Sequence, residues 1–261
     1  MVNFDIGSIK TTFMNSIRTY VYPQQTSYDS SISVLSEGTI VQPCYLFSDT
    51  ISNFGIYVSN TIGSPSGLTI ELKSGNSSVY SSTVPGTVGW NIVSYATTDL
   101  VTARSSSVVI TGDVSAGNDY FIGKDSTISY FMGQGLNTFN VAFTIGIRDF
   151  VYKVFNEENI TQNKVPIIAV DVVGRPKVVD RYLTGDHTWF YINVRADVYG
   201  HHTQEIDKLV YGMGKGINKD KRLFEDIQYI TPGMISQLSY VRPEIYNRNI
   251  VWTIQQLVTH T

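Results

Sequence analysis

Apolar and polar residues alternate along much of the first 147 residues, and this period of two is typical of half-buried β-strands. In "NFGIYVSN", for example, Phe54, Ile56 and Val58 occupy every second position. Clusters of glycine, proline and serine separate such segments, and short strands of this kind without helices between them are typical of a β-sandwich or jelly roll. The clearest predicted strands are 53–60, 67–75, 106–114 and 138–147.

The stretch 117–147 has many aromatic residues and little charge. We interpret its aromatic rings mainly as core residues, although tyrosine also suits half-exposed positions because of its hydroxyl group. The predicted order is a strand at 120–122, a turn at 123–127, a strand around Tyr130 and Phe131, and a closing strand at 139–147.

The second part of the chain combines helical and strand periods. Apolar spacing predicts one helix at 147–160 and another at 202–217, with Thr203 as its N-cap and three glycines at its end. We expect a small α+β domain in which these two helices pack on an antiparallel sheet. The segment 164–180 is predicted to form a strand and then a Gly-Arg-Pro turn, and the further predicted strands are 188–200 and 246–260.

The N-terminal segment also has a helical period. Ile9, Phe13, Ile17 and Tyr20 share one face, and Pro23 marks the end of the helix. The pattern leaves open whether this helix packs on the first domain, on the second, or on a neighbouring subunit.

Charge divides the chain near residue 148. Only five of the 19 basic residues precede it, so the first part carries a net charge of −4 and the second part +1. We therefore predict an N-terminal helical segment at 1–27, a jelly-roll β-sandwich at 28–147 and an α+β domain at 148–261, in a mainly β chain. The overall charge of −3 argues against a general nucleic-acid binder.

Few residues suggest chemistry. The single cysteine, Cys44, has apolar neighbours and is expected to be buried, and no intrachain disulfide is possible. We expect neither a signal peptide nor a membrane helix. The histidines lack metal-ligand spacing, and "GMGKG" lacks the order of a phosphate-binding loop. We therefore predict a protein that is not an enzyme and has no cofactor, although an enzyme on a sandwich scaffold stays a third possibility.

Four oxygen-bearing side chains cluster around one predicted strand and its turns. Loops of β-sandwiches can bind calcium through such groups, although aspartate and asparagine are also common turn residues. The four residues are Asp113, Asn118, Asp119 and Asp125.

Residues 28–147 resemble a recurrent β-sandwich family of cell-surface and phage structural proteins, often labelled choice-of-anchor or carbohydrate-binding-like. The resemblance lies in "GSPSGLTIEL", in the "GW" at Gly89 and Trp90, in "NDYFIGKDST" and in the closing "NVAFTIGI". It implies a jelly-roll fold without a shared ligand.

The second domain resembles the tail-terminator and neck proteins of tailed viruses. The resemblance lies in the opening helix, in the hairpin corner "RYLTGD", in "EIDKL" on the following helix and in the late strand. It implies a virion structural protein that forms a homo-oligomeric ring, most simply a hexamer, at the head–tail junction. Neighbouring neck and tail tube proteins would be its partners, and the sandwich would decorate its outside.

Ring formation gives a role to the charged residues of the second domain. We expect them either to pair between subunits or to face DNA passing through the lumen, unless they are simply solvated. These residues are Arg175, Lys177, Arg181, Asp186, Lys215, Lys219, Lys221 and Arg222.

The alternative function is a carbohydrate-binding or adhesion module with an attached oligomerisation domain. A row of exposed rings on one sheet face would favour glycan binding, whereas rings buried between sheets would favour a passive shell. The candidate glycan contacts are Trp90, Tyr95, Tyr120 and Tyr130, with Tyr57 and Tyr80 as further possibilities.

Overall fold

Strands make up most of the described structure, and three helices accompany them. The computed structural model describes residues 6–47, 51–97, 105–126, 139–153, 165–181, 187–219, 227–231 and 233–259. The predicted class is confirmed at this level: a mainly β chain with helices.

The helices are α1 (Ile6–Val21), α2 (Val34–Glu37) and α3 (Thr203–Lys219). The strands of the first part are β1 (Gln24–Gln25), β2 (Ser30–Ser33), β3 (Ile40–Tyr45), β4 (Ile51–Ile62), β5 (Leu68–Ser74), β6 (Ser77–Val84), β7 (Gly89–Thr97), β8 (Ser105–Gly112), β9 (Asp119–Asp125), β10 (Asn140–Val141) and β11 (Phe143–Ile147). The remaining strands are β12 (Val151–Tyr152), β13 (Ile167–Arg181), β14 (His187–Gly200), β15 (Ile227–Ile230), β16 (Met234–Ile235), β17 (Ser239–Arg242) and β18 (Ile245–Thr259).

The chain divides into two units, and one of them contains both ends of the chain. The terminal unit combines Met1–Val21 with Phe150–Thr261, and the inserted unit is Tyr22–Asp149. The segment that we predicted at 1–27 is therefore shared: its helix belongs to the terminal unit, and the residues from Tyr22 onward belong to the inserted unit.

Over its described ranges, the inserted unit has two sheets. One has the order β1-β11-β4-β9-β10, with β2 paired to β9 and β7 paired to β4, and the other has the order β3-β8-β5-β6. Phe54, Ile56 and Val58 of β4 are fully buried, as their alternation predicts. Phe54 meets Tyr80 of the smaller sheet edge-on, with 6.1 Å between the ring centroids. The two sheets thus contribute to one sandwich-like core.

The aromatic stretch differs in two places from its prediction. Residues 123–125 do not form a turn but continue β9, because they pair with β2 and β10. The predicted closing strand is divided at Ala142, whose N–H donates to Gly123 and whose carbonyl accepts from Tyr57. The predicted strand around Tyr130 and Phe131 lies outside the described residues.

The described residues of the terminal unit form one sheet, with the order β12-β13-β14-β18-β15 and with β16 and β17 also paired to β18. The pair β12–β13 is parallel, and the other pairs are antiparallel. Both long helices pack on the sheet face that carries Ile250 and Trp252. Phe13 of α1 lies 5.8 Å from Trp252 between ring centroids, and Gly214 of α3 approaches Ile250.

The N-terminal helix is confirmed, and its four periodic apolar residues are all buried. The predicted strands 188–200 and 246–260 correspond to β14 and β18 and pair along their whole length. The predicted helix 147–160 is wrong over its described part, where β12 pairs with β13 and the carbonyl of Phe150 accepts from Ile168. This long-range pairing overrides the local helical period.

Three further details of the second part are corrected. The Gly-Arg-Pro segment is not a turn but an irregularity within the continuous strand β13, where Gly174 has a φ of 78°. Helix α3 does not end at its glycines but continues to Lys219. Its N-cap is His202 and not Thr203, because the His202 carbonyl accepts the first helical hydrogen bond, from Ile206.

Candidate functional site

Exposed apolar side chains lie on β13 at one side of the terminal sheet. Val173 and Val178 are 37% and 47% exposed, and Arg175 and Lys177 between them are also exposed. Within the described part of the chain, β12 is the only strand on the outer side of β13, and it pairs only with Ile168 and Ala169. We name the exposed segment 173–178 the β13 edge.

A second group of exposed apolar side chains lies at the opposite side of the same sheet. Met234 and Ile235 of β16 and Tyr240 of β17 are 76%, 53% and 63% exposed. Both strands pair with β18 on the side away from β14. We name these three residues the β16 edge. One sheet therefore presents apolar groups at two different edges.

The predicted charged residues are only partly brought together. Arg175 and Lys177 share the β13 edge, whereas Lys215 is exposed on α3, where its ammonium group lies 5.6 Å from the Tyr211 ring centroid. Arg181 pairs through its backbone with Thr188, and Lys219 is the last residue of α3; their side chains are outside the described atoms. Asp186, Lys221 and Arg222 lie outside the described residues.

In the inserted unit, three aromatic rings meet on the outer face of the larger sheet. Tyr57 of β4 is paired with Trp90 of β7, and their ring centroids are 5.5 Å apart at an angle of 69°. Tyr28 stacks on Tyr57 with 4.8 Å between centroids, and their hydroxyl oxygens are 3.3 Å apart. We name Tyr28, Tyr57 and Trp90 the ring cluster.

The local sequence explains how the ring cluster forms. Tyr57 faces outward because its neighbours Ile56 and Val58 face the core. Gly123 of β9 lies beneath the two tyrosines, since a Cβ there would be 3.1 Å from Cγ of Tyr28 and 3.3 Å from Cδ1 of Tyr57. Tyr28 and Trp90 stay 45% and 38% exposed.

The other predicted glycan contacts occupy different environments. Tyr80 and Tyr95 are half-buried and stack on each other, with 4.4 Å between ring centroids. Tyr120 is only 1% exposed, and its hydroxyl group donates to the carbonyls of Pro65 and Pro85. Tyr120 is therefore a core residue without an accessible ring face, and the glycan-contact prediction is wrong for it. Tyr130 lies outside the described residues.

The four candidate calcium ligands have separate structural roles. Asp119 accepts from Ser33 and from the backbone N–H of Leu35 at the start of α2, whereas Asp125 accepts from Gln25 and Ser27. These two residues are the ends of β9, about 20 Å apart for a strand of this length. Asn118 accepts from the backbone N–H of Ser64, and Asp113 accepts from Ser66.

Reactive side chains do not form a centre in the described residues. No group of three or more histidine, cysteine, aspartate or glutamate side chains there could hold a metal ion. Cys44 is fully buried, and burial raises the pKa of its thiol far above the ordinary value. The adjacent His201 and His202 line an open depression of about 460 Å³ with Thr203, Gln204 and Tyr246. Nδ1 of His201 lies 3.0 Å from the carbonyl oxygen of Glu244.

Comparisons with known proteins add no family to this description. A scan against protein-family models found no match, and a search of the curated proteins found no relative. In the described part of the chain, no helix is long and apolar enough to cross a membrane.

Two parts of these surfaces were not predicted from the sequence. Tyr28 precedes a short strand without a recognisable period, and its contact with Tyr57 joins residues 29 positions apart. Met234, Ile235 and Tyr240 follow a glycine in a region without an alternating pattern. Local periodicity cannot show that such residues lie at the edge of a sheet.

Proposed function

We propose that this protein is a virion structural component of a tailed virus, and that its terminal unit forms a ring at the head–tail junction as a tail terminator or neck component. The observation that carries the proposal is the pair of exposed apolar edges on one sheet. The resemblance of the second part of the sequence to tail-terminator and neck proteins supplies the biological setting.

Two different edges favour head-to-tail association over a symmetric dimer. When the β13 edge of one subunit packs on the β16 edge of the next, the first subunit keeps its β16 edge available and the second keeps its β13 edge, so further subunits can add at both ends. Such heterologous contacts close into a ring when the rotation between subunits divides a full turn. We expect six subunits in the ring.

Burial of both edges would supply the driving force. Removing apolar surface from water contributes roughly 25 cal/mol per Å², and a stable interface buries about 1,600 Å² in total. Arg175 and Lys177 lie beside Val173 and Val178, so they would lie within the interface or at its rim. Charge pairs at the rim set orientation more than affinity, and DNA in the lumen is the other partner that we propose for these residues.

The first experiment is the mass of the full-length protein by light scattering coupled to size exclusion, with negative-stain imaging of the same sample. A ring supports the proposal. A monomer at every concentration contradicts self-assembly through these edges.

A pair of edge variants tests the head-to-tail geometry. Val178→Glu disables the β13 edge and Met234→Glu disables the β16 edge, so each variant alone should be monomeric. Mixed together, they should form a heterodimer and nothing larger, because each variant retains the edge that the other lacks. Leu35→Glu places the same charge on α2 of the inserted unit, at a position that is 43% exposed, and should leave the ring intact. Persistence of the ring in either edge variant would refute this assignment of the interface.

A further inference from the structure

The side chains of the ring cluster are more exposed to solvent than those of core residues. Burial of a large aromatic ring is among the most stabilising contacts of a folded chain, yet Tyr28 and Trp90 keep large exposed fractions on the outer sheet face. Ile92, two residues beyond Trp90 on the same side of β7, is 53% exposed. These residues therefore form an apolar surface directed away from the sandwich core.

The rings are already held in place by one another. Tyr28 stacks on Tyr57, and Tyr57 meets Trp90 at a steep angle, so this contact leaves at least one face of the indole free. Side chains that are ordered before binding lose little conformational entropy when a ligand arrives. The cluster thus has the rigidity of a preformed binding surface.

Hydrogen-bonding groups accompany the rings. The Tyr28 hydroxyl group donates to the Tyr57 hydroxyl oxygen, which leaves the Tyr57 proton and acceptor lone pairs of the phenols for a ligand. Asp29, which follows Tyr28, is exposed, and its carboxylate accepts from Ser30 Oγ at 2.7 Å and from the Ser126 N–H at 3.2 Å. Hydrogen bonds from Ser126 and Ser30 lower the pKa of Asp29, so this acceptor is ionised at neutral pH.

We propose that the ring cluster is a binding site for a neutral oligosaccharide. A sugar ring has an apolar C–H face that packs on the Trp90 indole and a rim of hydroxyl groups that pairs with the phenols and with Asp29. A rigid aromatic surface with a few polar groups at its rim fits this combination. The hydroxyl groups beside the free aromatic face favour a sugar over a protein partner, because a sugar presents an apolar face and hydroxyl groups together. The proposal concerns the inserted unit and is independent of ring assembly by the terminal unit.

The test begins with the full-length protein on an array of neutral glycans. Titration calorimetry with cellohexaose, maltohexaose, mannohexaose and chitohexaose then gives the affinity for each soluble probe. We expect at least one neutral glycan to bind. Trp90→Ala should weaken that binding by about tenfold or more, which corresponds to about 1.4 kcal/mol. Trp90→Phe should retain part of the affinity, because it keeps an aromatic face.

Control variants separate recognition from folding and from assembly. Tyr211→Ala removes a more exposed ring from α3 of the terminal unit, outside both edges, and should leave glycan affinity unchanged. Trp90→Ala loses the contact with Tyr57 and should lower the Tm modestly, but the variant should stay folded at the temperature of the binding assay, as circular dichroism would show. Binding should also be the same in Val178→Glu, whether or not the ring forms.

Three results would overturn the proposal. The first is a wild-type protein that binds no neutral glycan on the array or in solution. The second is glycan binding that survives Trp90→Ala undiminished. The third is a Trp90→Ala variant that loses self-association and not sugar affinity, since the cluster would then be a contact between copies of the chain.

Discussion

Gly216 permits the close approach of the two long helices in the terminal unit. Its replacement by alanine should therefore destabilise the protein, although alanine ordinarily stabilises a helix relative to glycine. A Cβ at Gly216 would lie 2.6 Å from Cδ1 of Tyr20 and nearer still to Cγ and Cδ2. Tyr20 is 4% exposed on α1, and the conflict involves the base of its ring, which cannot rotate away. The helices or the ring must therefore move.

The magnitude follows from two opposing effects. Alanine gains about 1 kcal/mol over glycine inside a helix. Overpacking of a core costs about 1–3 kcal/mol, and complete loss of an aromatic side chain costs about 3–5 kcal/mol, which is the upper bound if Tyr20 is expelled. Because the overlap involves three atoms of a buried ring, we take the upper part of the overpacking range, about 2–3 kcal/mol. After the gain in helix propensity, we expect Gly216→Ala to lower the free energy of unfolding by about 1–2 kcal/mol, and the Tm by roughly 3–10 °C.

Gly214→Ala is the matched control on the same helix. A Cβ there would lie 3.3 Å from Cδ1 of Ile250, the end of a flexible side chain that can shift slightly. The gain in helix propensity should then prevail, and this variant should be neutral or more stable by up to about 1 kcal/mol. Urea unfolding followed by circular dichroism at the helix band reports on this unit, because α1 and α3 both belong to it.

The Tyr20→Ala background tests whether the Tyr20 ring causes the destabilisation. Tyr20→Ala removes the atoms that conflict with the new Cβ, so Gly216→Ala should become stabilising in that background. The change of sign is the interaction that a double-mutant cycle isolates. If Gly216→Ala is equally destabilising with and without the Tyr20 ring, contact between α1 and α3 is not the reason for the glycine.

Two further predictions concern the inserted unit. The pKa of buried Cys44 is raised, so the native state keeps the thiol proton where the unfolded chain loses it. The contribution of this thiol to the free energy of unfolding is complete below about pH 8.5 and declines above it by up to about 1.4 kcal/mol per pH unit. Between about pH 8 and about pH 10, urea unfolding should therefore show a larger loss of stability for the wild type than for Cys44→Ala. Equal losses would show that the thiol is accessible in the folded state. Asp125→Ala removes the acceptor of hydrogen bonds from Gln25 and Ser27 at a buried site and should cost about 2 kcal/mol, whereas Asp113→Ala, at an exposed site, should cost less than about 0.5 kcal/mol. Equal urea midpoints for the two variants would contradict a structural role for the Asp125 carboxylate.

The candidate surfaces show where sequence reasoning reaches its limit. Trp90 and Tyr57 were both among the rings predicted as possible glycan contacts. That they meet each other and Tyr28 depends on strand pairing and on the missing side chain of Gly123, which no local pattern reveals. Local patterns do not reveal the two edges of the terminal sheet either, because a strand lies at an edge only when no other strand pairs with its outer side.

The sequence by itself determined the elements whose buried face is set locally. The alternation in β4, the long strands β14 and β18 and the helical stripe of α1 each follow from one face meeting the core, whichever partner supplies that core. Only the tertiary structure decided that α1 packs with the C-terminal half of the chain, that 151–152 form a strand and that α3 continues through its glycines. Each of these outcomes depends on contacts between residues far apart in sequence, and the free energy of those contacts exceeds the local preferences of about 1 kcal/mol per residue that a sequence pattern expresses.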